Sequence, residues 1–311
     1  MKVLVTGAAG FVGSHVAEAL ARQGHLVTGL DAFTPFYDLR LKEENARAVE
    51  AAGGTIARLD LATSDLSAVV RDAEVILHLA AQPGLSDWTT FDDYVKNNVV
   101  ATGRLLAAVQ AAGTDPRFVH ISTSSIYGAE ATGDEKTLPA PTSVYGVTKL
   151  AAEQLVLARH REGALRACVL RIFSVYGPRE RPDKLYPRLI RSILSDSEIT
   201  LFEGSEKHSR SFSFVGDIVK GTLAVLERWA VASGEIFNIG SDVESTTGEG
   251  LATVERLIGK RARIARLPRR SGDQLRTHAN IEKARRLLGY SPSTSLEEGL
   301  RAELEWIRSR G

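Results

Sequence analysis

Cysteine is nearly absent from the 311 residues, and Cys168 is the only one. A single thiol cannot form a disulfide within the chain or build a cysteine-rich metal site, and the histidines show no metal-ligand spacing. Neither sign of charge is in excess, because the sequence contains 39 Lys and Arg and 38 Asp and Glu. A dedicated nucleic-acid-binding protein usually carries a basic excess, so neither a metal site nor a nucleic-acid partner is expected.

Long apolar runs are also missing. No stretch approaches the roughly 18 apolar residues that a membrane span needs. The apolar run within 1–10 is broken by Gly7 and is too short for the core of a signal peptide. We therefore expect a cytoplasmic protein with no membrane partner. At about 150 residues per domain, the length predicts roughly two domains.

Apolar strands alternate with helical patterns over the first 173 residues. The predicted strands are 3–5, 26–30, 55–59, 75–79, 118–122 and 167–172, and the predicted helices are 11–23, 41–52, 66–71, 92–112 and 145–161. Near-continuous apolar strands are buried on both faces. The pattern therefore predicts an α/β fold, a Rossmann doubly wound parallel sheet of about seven strands.

The pattern loosens after residue 173. Loops are predicted at 179–187, which contains two prolines, and at 204–210, and the later predicted elements are a helix at 214–229, a strand at 235–239 and helices at 250–259, 280–288 and 296–309. We predict a sheet domain of residues 1–173 plus 212–240. A smaller, mixed α/β C-terminal domain is predicted for 174–211 plus 241–311.

The junction between the first strand and the first helix reads TGAAGFVG at 6–13. Gly7 allows a sharp turn, Gly10 lets the backbone approach a pyrophosphate, and Gly13 lets the helix pack closely on the sheet. The pyrophosphate then lies on free N–H groups at the positive end of the helix. A glycine turn in this position predicts dinucleotide binding.

Acidic residues follow the next two strands. A carboxylate at Asp31 accepts hydrogen bonds from the adenosine ribose and repels a 2′-phosphate, which favours NAD over NADP. Asp60 is expected to reach the adenine amine. The predicted cofactor-binding residues are Gly7, Gly10, Phe11, Val12, Gly13, Asp31, Asp60, Leu61, Leu79, Ala80, Ala81, Tyr145 and Lys149.

Tyr145 and Lys149 are four residues apart and therefore share one helical face. A free phenol has a pKa of about 10, but a nearby ammonium and a positive nicotinamide both favour phenolate. Tyr145 is thus the predicted general base, and Lys149 also holds the nicotinamide ribose. A hydroxyl run at 122–125 precedes the pair at a predicted strand end. We expect Thr123 to share a hydrogen bond with the substrate hydroxyl.

These motifs resemble the extended short-chain dehydrogenase/reductases of the NAD-dependent epimerase/dehydratase type. The matching stretches are TGAAGFVGSH, HLAAQPG, STSSIYG, YGVTK, YGPRERPD, RSFSFVGDIV and NIGS, which occur in the family's order over nearly the whole chain. The resemblance implies a tightly held NAD in the sheet domain and a nucleoside-diphosphate sugar in the smaller one. It also implies a homodimer joined by the helices at 92–112 and 145–161.

The reaction within this family depends on the residues after Thr123. Dehydratases carry Asp-Glu there and decarboxylases carry a Glu two positions on, whereas this chain has Ser124 and Ser125. The resemblance therefore favours 4-epimerisation. Tyr145 would take the 4-hydroxyl proton and NAD the C4 hydride, and the hydride would return to the other face of the 4-keto sugar.

Segments 31–42 and 176–183 resemble UDP-glucuronate 4-epimerases, and Ser174 fits that group. The resemblance implies that Arg181 steers the C5 carboxylate, with Arg179 a weaker candidate. The predicted substrate-binding residues are Gly84, Thr123, Ser124, Ser125, Ser174 and Arg181, with Arg210 and Arg276 as bidentate clamps on the diphosphate. We also expect the hydroxyls at 123–125 to hold the carboxylate in an orientation that disfavours loss of CO₂.

Other activities stay open at this point. A UDP-glucose/UDP-galactose 4-epimerase is the main alternative. One departure weakens the uronate interpretation, because the family usually has an Arg two residues after the Gly, whereas here Gly84 is followed by Leu85 and Ser86. A UDP-glucuronate decarboxylase is disfavoured by Ser125. A catalytically inactive NAD-binding regulator is disfavoured by the intact Tyr145 and Lys149.

Overall fold

The computed structural model describes residues 1–84, 89–268 and 275–310. Its strands are β1 (Lys2–Thr6), β2 (Leu26–Asp31), β3 (Thr55–Arg58), β4 (Val75–His78), β5 (Arg117–Thr123), β6 (Glu130–Ala131), β7 (Arg166–Ile172), β8 (Val175–Tyr176), β9 (Glu198–Phe202), β10 (Ser209–Arg210), β11 (Ser213–Phe214), β12 (Ile236–Ile239), β13 (Ser245–Thr246), β14 (Arg263–Leu267) and β15 (Arg276–Thr277). Its helices are α1 (Phe11–Arg22), α2 (Leu39–Ala51), α3 (Ser67–Val70), α4 (Phe91–Tyr94), α5 (Ala101–Ala112), α6 (Val144–Arg161), α7 (Leu185–Leu194), α8 (Val215–Glu227), α9 (Trp229–Ala232), α10 (Thr247–Ile258), α11 (Glu282–Leu288) and α12 (Leu296–Arg308).

A seven-stranded sheet forms the centre of the described chain, in the order β12-β7-β5-β4-β1-β2-β3 and with every neighbouring pair parallel. Alternate residues enter different apolar clusters. Val3 and Val5 of β1 belong to a cluster with residues of α1 and α8, whereas Leu4 belongs to a cluster with residues of α5 and α6. Helices therefore cover both faces, and the predicted doubly wound sheet is confirmed.

The long helix predicted at 92–112 runs without a break from Phe91 to Ala112, but Val95–Val100 is π-helical. Asn98 of this π-helical segment is buried. Its Oδ1 accepts from the Gln82 N–H at 2.7 Å, and its Nδ2 donates to the Thr148 hydroxyl at 3.0 Å. The wider helical turn thus joins the segment after β4 to helix α6.

The region after β7 differs more from the prediction. The loop predicted at 179–187 is wrong in its last residues, because α7 begins at Leu185. Pro187 lies in the first turn of α7, where the missing N–H would have had no helical partner. The parallel pair β9 and β14 was also not predicted. Helices α7, α10 and α12 pack together in a third apolar cluster beside the small sheets.

The described residues lack two kinds of feature. None of the described helices is long and apolar enough to cross a membrane. Within the same ranges, no group of three or more His, Cys, Asp or Glu residues is arranged to hold a metal ion.

Candidate active site

The turn after β1 is shaped by glycines that no other residue could replace. Gly7 has a φ of +72°, and a Cβ there would lie 2.9 Å from the Ala80 nitrogen. A Cβ on Gly13 would lie 2.0 Å from the Gly7 carbonyl oxygen, so the close contact predicted against the sheet occurs within the turn itself. Gly10 precedes α1 and offers no side-chain cap. The first N–H groups of α1 are therefore available to an anion.

A cavity of about 620 Å³ extends from this turn along the carboxyl ends of the central strands, at the point where the strand order reverses. All the predicted cofactor-binding residues line it, and so do Gly84, Thr123, Ser124, Ser125, Ser174, Arg181 and Arg210. Arg276 does not line it, because its guanidinium donates to both carboxylate oxygens of Glu244, at 2.9 and 2.7 Å. Leu85 and Ser86 lie outside the described residues.

Asp31 ends β2 with a buried carboxylate that is held in place. Its Oδ2 accepts from the Ala9 N–H at 3.1 Å and its Oδ1 from the Phe33 N–H at 2.8 Å. The ammonium of Lys42 lies 3.3 Å from Oδ1. Lys42 also lines the cavity. Sequence reasoning missed this lysine, whose only signal was its place on the helix that follows Asp31.

Asp60 also faces the cavity but shares its carboxylate with neighbours. Oδ1 accepts from the Ala62 N–H at 2.8 Å, and Oδ2 from the Lys96 ammonium at 3.1 Å. Lys96 belongs to the π-helical segment. This ion pair joins the segment after β3 to the π-helical segment.

Tyr145 lies in the first turn of α6, with its phenol directed toward the end of β5. Burial raises the pKa of Tyr145, while a hydrogen bond with Thr123 and the positive charge of Arg181 lower it. On balance the pKa of Tyr145 is raised, because burial outweighs these two effects. That Lys149 and a bound nicotinamide favour the phenolate stays a prediction. In the structure the neighbouring cation that lowers the phenol's pKa is Arg181.

Lys149 lies one turn further along α6 and is buried. Its ammonium donates to the Ile121 carbonyl at 2.6 Å. Burial lowers the pKa of Lys149 to about 8, although the charge of Glu153 opposes this shift. The ammonium is therefore held against the strand that ends at Thr123, beside the cavity.

Thr123 ends β5, and the chain then enters a short 3-10 turn at 124–127. The Thr123 Oγ1 accepts from the Ser125 N–H at 3.1 Å and lies 3.3 Å from the Ser125 Oγ. Ser124 is buried beside them. Hydroxyls rather than carboxylates thus line this edge of the cavity.

One buried carboxylate joins the three elements that carry the site. Glu153 of α6 pairs with Arg171 of β7 at 2.7 Å, and the Ser122 hydroxyl of β5 donates to it at 2.7 Å. Since Lys149 already binds Ile121, two residues one turn apart on α6 are attached to consecutive residues of β5. The position of α6 on the sheet is therefore fixed.

Arg181 lies in the loop between β8 and α7 and is buried. Its guanidinium donates to the Pro83 carbonyl at 3.2 Å and to the Asp183 carboxylate at 2.9 Å. Arg179 instead forms an ion pair with Glu18 of α1 at 2.7 Å. Of the two arginines considered from the sequence, Arg181 is the one that lines the cavity.

The site combines two features. A glycine turn lies where the strand order of a parallel sheet reverses, and a tyrosine and a lysine one helical turn apart lie beside a threonine at a strand end. Together they define a dinucleotide-dependent short-chain dehydrogenase/reductase. The chain belongs to the NAD dependent epimerase/dehydratase family, whose model matches residues 3–240. The predicted family is therefore confirmed.

Individual members of this family show which proteins the chain is similar to. The chain is 39% identical, over 99% of its length, to YtcB of Bacillus subtilis, an uncharacterised UDP-glucose epimerase of which it covers 98%. It is 36% identical over 98% of its length to UDP-glucuronate 4-epimerase 2 of Arabidopsis thaliana, and covers 75% of that protein. A crystal structure of UDP-glucuronic acid 4-epimerase from Bacillus cereus, in complex with UDP-glucuronic acid and NAD, is similar with a TM-score of 0.95 and 39% identity over the whole of both chains.

Proposed function

We propose that this chain is an NAD-dependent UDP-glucuronate 4-epimerase, which interconverts UDP-glucuronate and UDP-galacturonate. The observation that carries the proposal is the position of Arg181. It is a buried cation that lines the cavity, and its charge lowers the pKa of the Tyr145 phenol. A uronate brings its C5 carboxylate next to the reacting C4, where a guanidinium is well suited to bind it. The Arabidopsis and Bacillus cereus relatives carry the name of this activity.

A UDP-glucose/UDP-galactose 4-epimerase is the second candidate, because the Bacillus subtilis relative carries that name. Its substrate has a neutral hydroxymethyl group where a uronate has a carboxylate. Among the described residues, Arg181 would then have the Asp183 carboxylate as its ion-pair partner and no anion from the sugar. We favour the uronate for this reason.

The residues around the glycine turn fit NAD. The free N–H groups of α1 and the close backbone approach at Gly10 suit a pyrophosphate, with Phe11, Val12, Leu61, Leu79, Ala80 and Ala81 lining the rest of the cofactor site. Asp31 is placed to accept hydrogen bonds from the adenosine ribose, and its carboxylate disfavours a 2′-phosphate. When bound, NAD supplies a reversible acceptor for the C4 hydride.

The protein's own groups manage the proton and the sugar. Tyr145 removes the proton of the 4-hydroxyl as the C4 hydrogen departs, and returns a proton when the other epimer forms. Thr123, hydrogen bonded to Tyr145, orients both the phenol and the sugar hydroxyl. Lys149 holds the nicotinamide ribose. Since Ser124 and Ser125 supply no second acid or base, elimination of water is not assisted.

The sugar and the diphosphate have separate sites in this proposal. Gly84, Ser174 and the hydroxyls at 123–125 surround the sugar, and Arg181 binds its carboxylate. Arg210, which lines the cavity, clamps the diphosphate. Arg276 lies on the neighbouring strand, one register position from Arg210, and would join the clamp by exchanging Glu244 for phosphate.

The assembly and domain division belong to the same proposal. Residues 1–173 plus 212–240 would form the NAD-binding domain and 174–211 plus 241–311 the nucleotide-sugar-binding domain of a cytoplasmic homodimer. Large apolar side chains are exposed on the helices proposed for the dimer interface, namely Phe91, Val100, Val144, Val147 and Leu155. Burying them against a second copy removes apolar surface from water.

Proton NMR of the purified protein with NAD tests the activity. UDP-glucuronate and UDP-glucose are supplied in parallel reactions, and the variant Tyr145→Phe serves as the inactive control. We expect UDP-galacturonate to appear and UDP-glucose to remain unchanged. Interconversion of UDP-glucose and UDP-galactose alone would overturn the role of Arg181 and favour the second candidate.

A further inference from the structure

We propose that Lys184 is a second carboxylate-binding cation, which acts with Arg181 to select a uronic acid over a neutral sugar. This inference rests on the proposed function, because it takes a nucleotide-linked uronate as the ligand. Lys184 is the residue that precedes α7, and it is half-buried in the wall of the cavity. No sequence motif singled it out.

The two cations converge on one point of the cavity. A Cβ added to Gly84 would lie 3.2 Å from the Lys184 Nζ and 3.5 Å from the Arg181 Nη2, so the two nitrogens are no more than about 7 Å apart. Each oxygen of a carboxylate accepts a charge-assisted hydrogen bond at about 2.8 Å. One carboxylate can therefore bridge both nitrogens.

Lys184 has an unused charge in this place. Within the described ranges, no hydrogen bond or ion pair occupies its ammonium, which interacts with Arg181, Glu180, Asp183 and Arg210 only through space. Burial and the charge of Arg181 lower the pKa of Lys184, and a ligand carboxylate would raise it again. The Asp183 carboxylate is bound to Arg181. Burial raises the pKa of Glu180, so this carboxyl carries less negative charge than an exposed one would. The pair of cations is therefore incompletely neutralised, and a ligand carboxylate would complete it.

The position of the pair favours the carboxylate over the diphosphate as its ligand. Arg181 is close enough to Tyr145 to lower the pKa of its phenol, so the Arg181 end of the pair lies beside the carbon that reacts, whereas Lys184 also interacts with the charge of Arg210. In a uronate the carboxylate is attached to the adjacent carbon. A neutral sugar would leave two partly desolvated cations without an anion, which is how a polar site rejects an analogue that lacks the matching group.

Binding measurements on the NAD-loaded enzyme test the assignment. Isothermal titration calorimetry would give the Kd of UDP-glucuronate, UDP-glucose and UDP for wild type, Lys184→Met and Lys184→Arg. The matched control is Lys136→Met, the same change at an exposed lysine outside the cavity. We expect Lys184→Met to weaken UDP-glucuronate at least tenfold, as loss of a charged hydrogen bond implies. UDP-glucose and UDP should stay within twofold, and Lys184→Arg should restore most of the affinity.

Two results would overturn this role. An equal loss of affinity for all three ligands would assign Lys184 to the diphosphate, and unchanged affinity for UDP-glucuronate would remove it from the site. The thermal midpoint of each variant establishes that the fold is retained. The activity is tested separately: a wild type that binds UDP-glucuronate through Lys184 but never epimerises it would refute the proposed function and leave this binding role intact.

Discussion

Replacing Glu153 with Gln should destabilise the protein far more than its single atomic change suggests. The substitution keeps the shape of the side chain but leaves the buried Arg171 guanidinium without its counter-ion. Breaking one partner of a buried ion pair costs about 3–5 kcal/mol. We expect about 3 kcal/mol here, because the amide oxygen can still accept one hydrogen bond and Arg171 keeps the Tyr127 hydroxyl at 2.8 Å.

Thermal unfolding followed by circular dichroism measures this effect. For a chain of this size, a loss of about 3 kcal/mol lowers Tm by roughly 5 °C. Glu43→Gln is the control, because Glu43 pairs with Arg58 at the surface, and its Tm should not change measurably. The double variant Glu153→Leu, Arg171→Met should recover much of the loss, since it removes both charges. A Tm of Glu153→Gln within 1–2 °C of wild type, roughly the shift that 1 kcal/mol produces, would refute the argument that an unpaired Arg171 is costly.

Three further predictions concern the site itself. Tyr145→Phe should lower kcat by about 10²-fold or more while leaving the Kd for NAD unchanged, because it removes the general base alone; near-normal turnover would exclude Tyr145 from proton transfer. Asp31→Arg should weaken NAD binding at least about tenfold in a fluorescence titration, through loss of the ribose contacts, and an unaltered Kd would contradict the ribose role. Lys149→Met should change the pH dependence of stability: since the pKa of Lys149 falls from 10.5 to about 8 in the fold, the folded state binds fewer protons than the unfolded state between these values. Wild type should therefore gain stability over the variant as pH rises from about 8 to 10.5, and a constant difference across that range would refute the pKa shift.

The central sheet could be predicted because its strands are short apolar runs whose two faces both meet helices. Val3, Leu4 and Val5 show this in three consecutive residues. The helix at 185–194 could not be predicted in the same way, because Pro187 resembles a loop residue until its place in the first helical turn is known. Strands β9 and β14 stabilise each other across more than 60 residues of sequence, a pairing that local pattern does not reveal.

The site residues likewise include some that local sequence predicts and some that it does not. Residues set by local turns and helical spacing, such as Gly7 and Tyr145, could be identified from the sequence. Lys184 approaches Gly84 through the packing of segments distant along the chain, so nothing in its neighbourhood marks it. Lys42 is marked only by its place on the helix that follows Asp31. The packing of distant segments also explains why the effect of Arg181 on the Tyr145 pKa could not be predicted from local spacing.

The double attachment of α6 to β5 gives two parts of the cavity wall, α6 and the loop before α7, different properties. Sliding or rotating the helix would break the Lys149 and Glu153 contacts together, so the wall that carries proton transfer behaves as a rigid frame. Under the proposed function, accommodation of sugars of different shape falls to the loop before α7, which carries Arg181 and Lys184. Changes at Lys184 in that loop would then alter which sugar is accepted while the position of Tyr145 on α6 stays as it is.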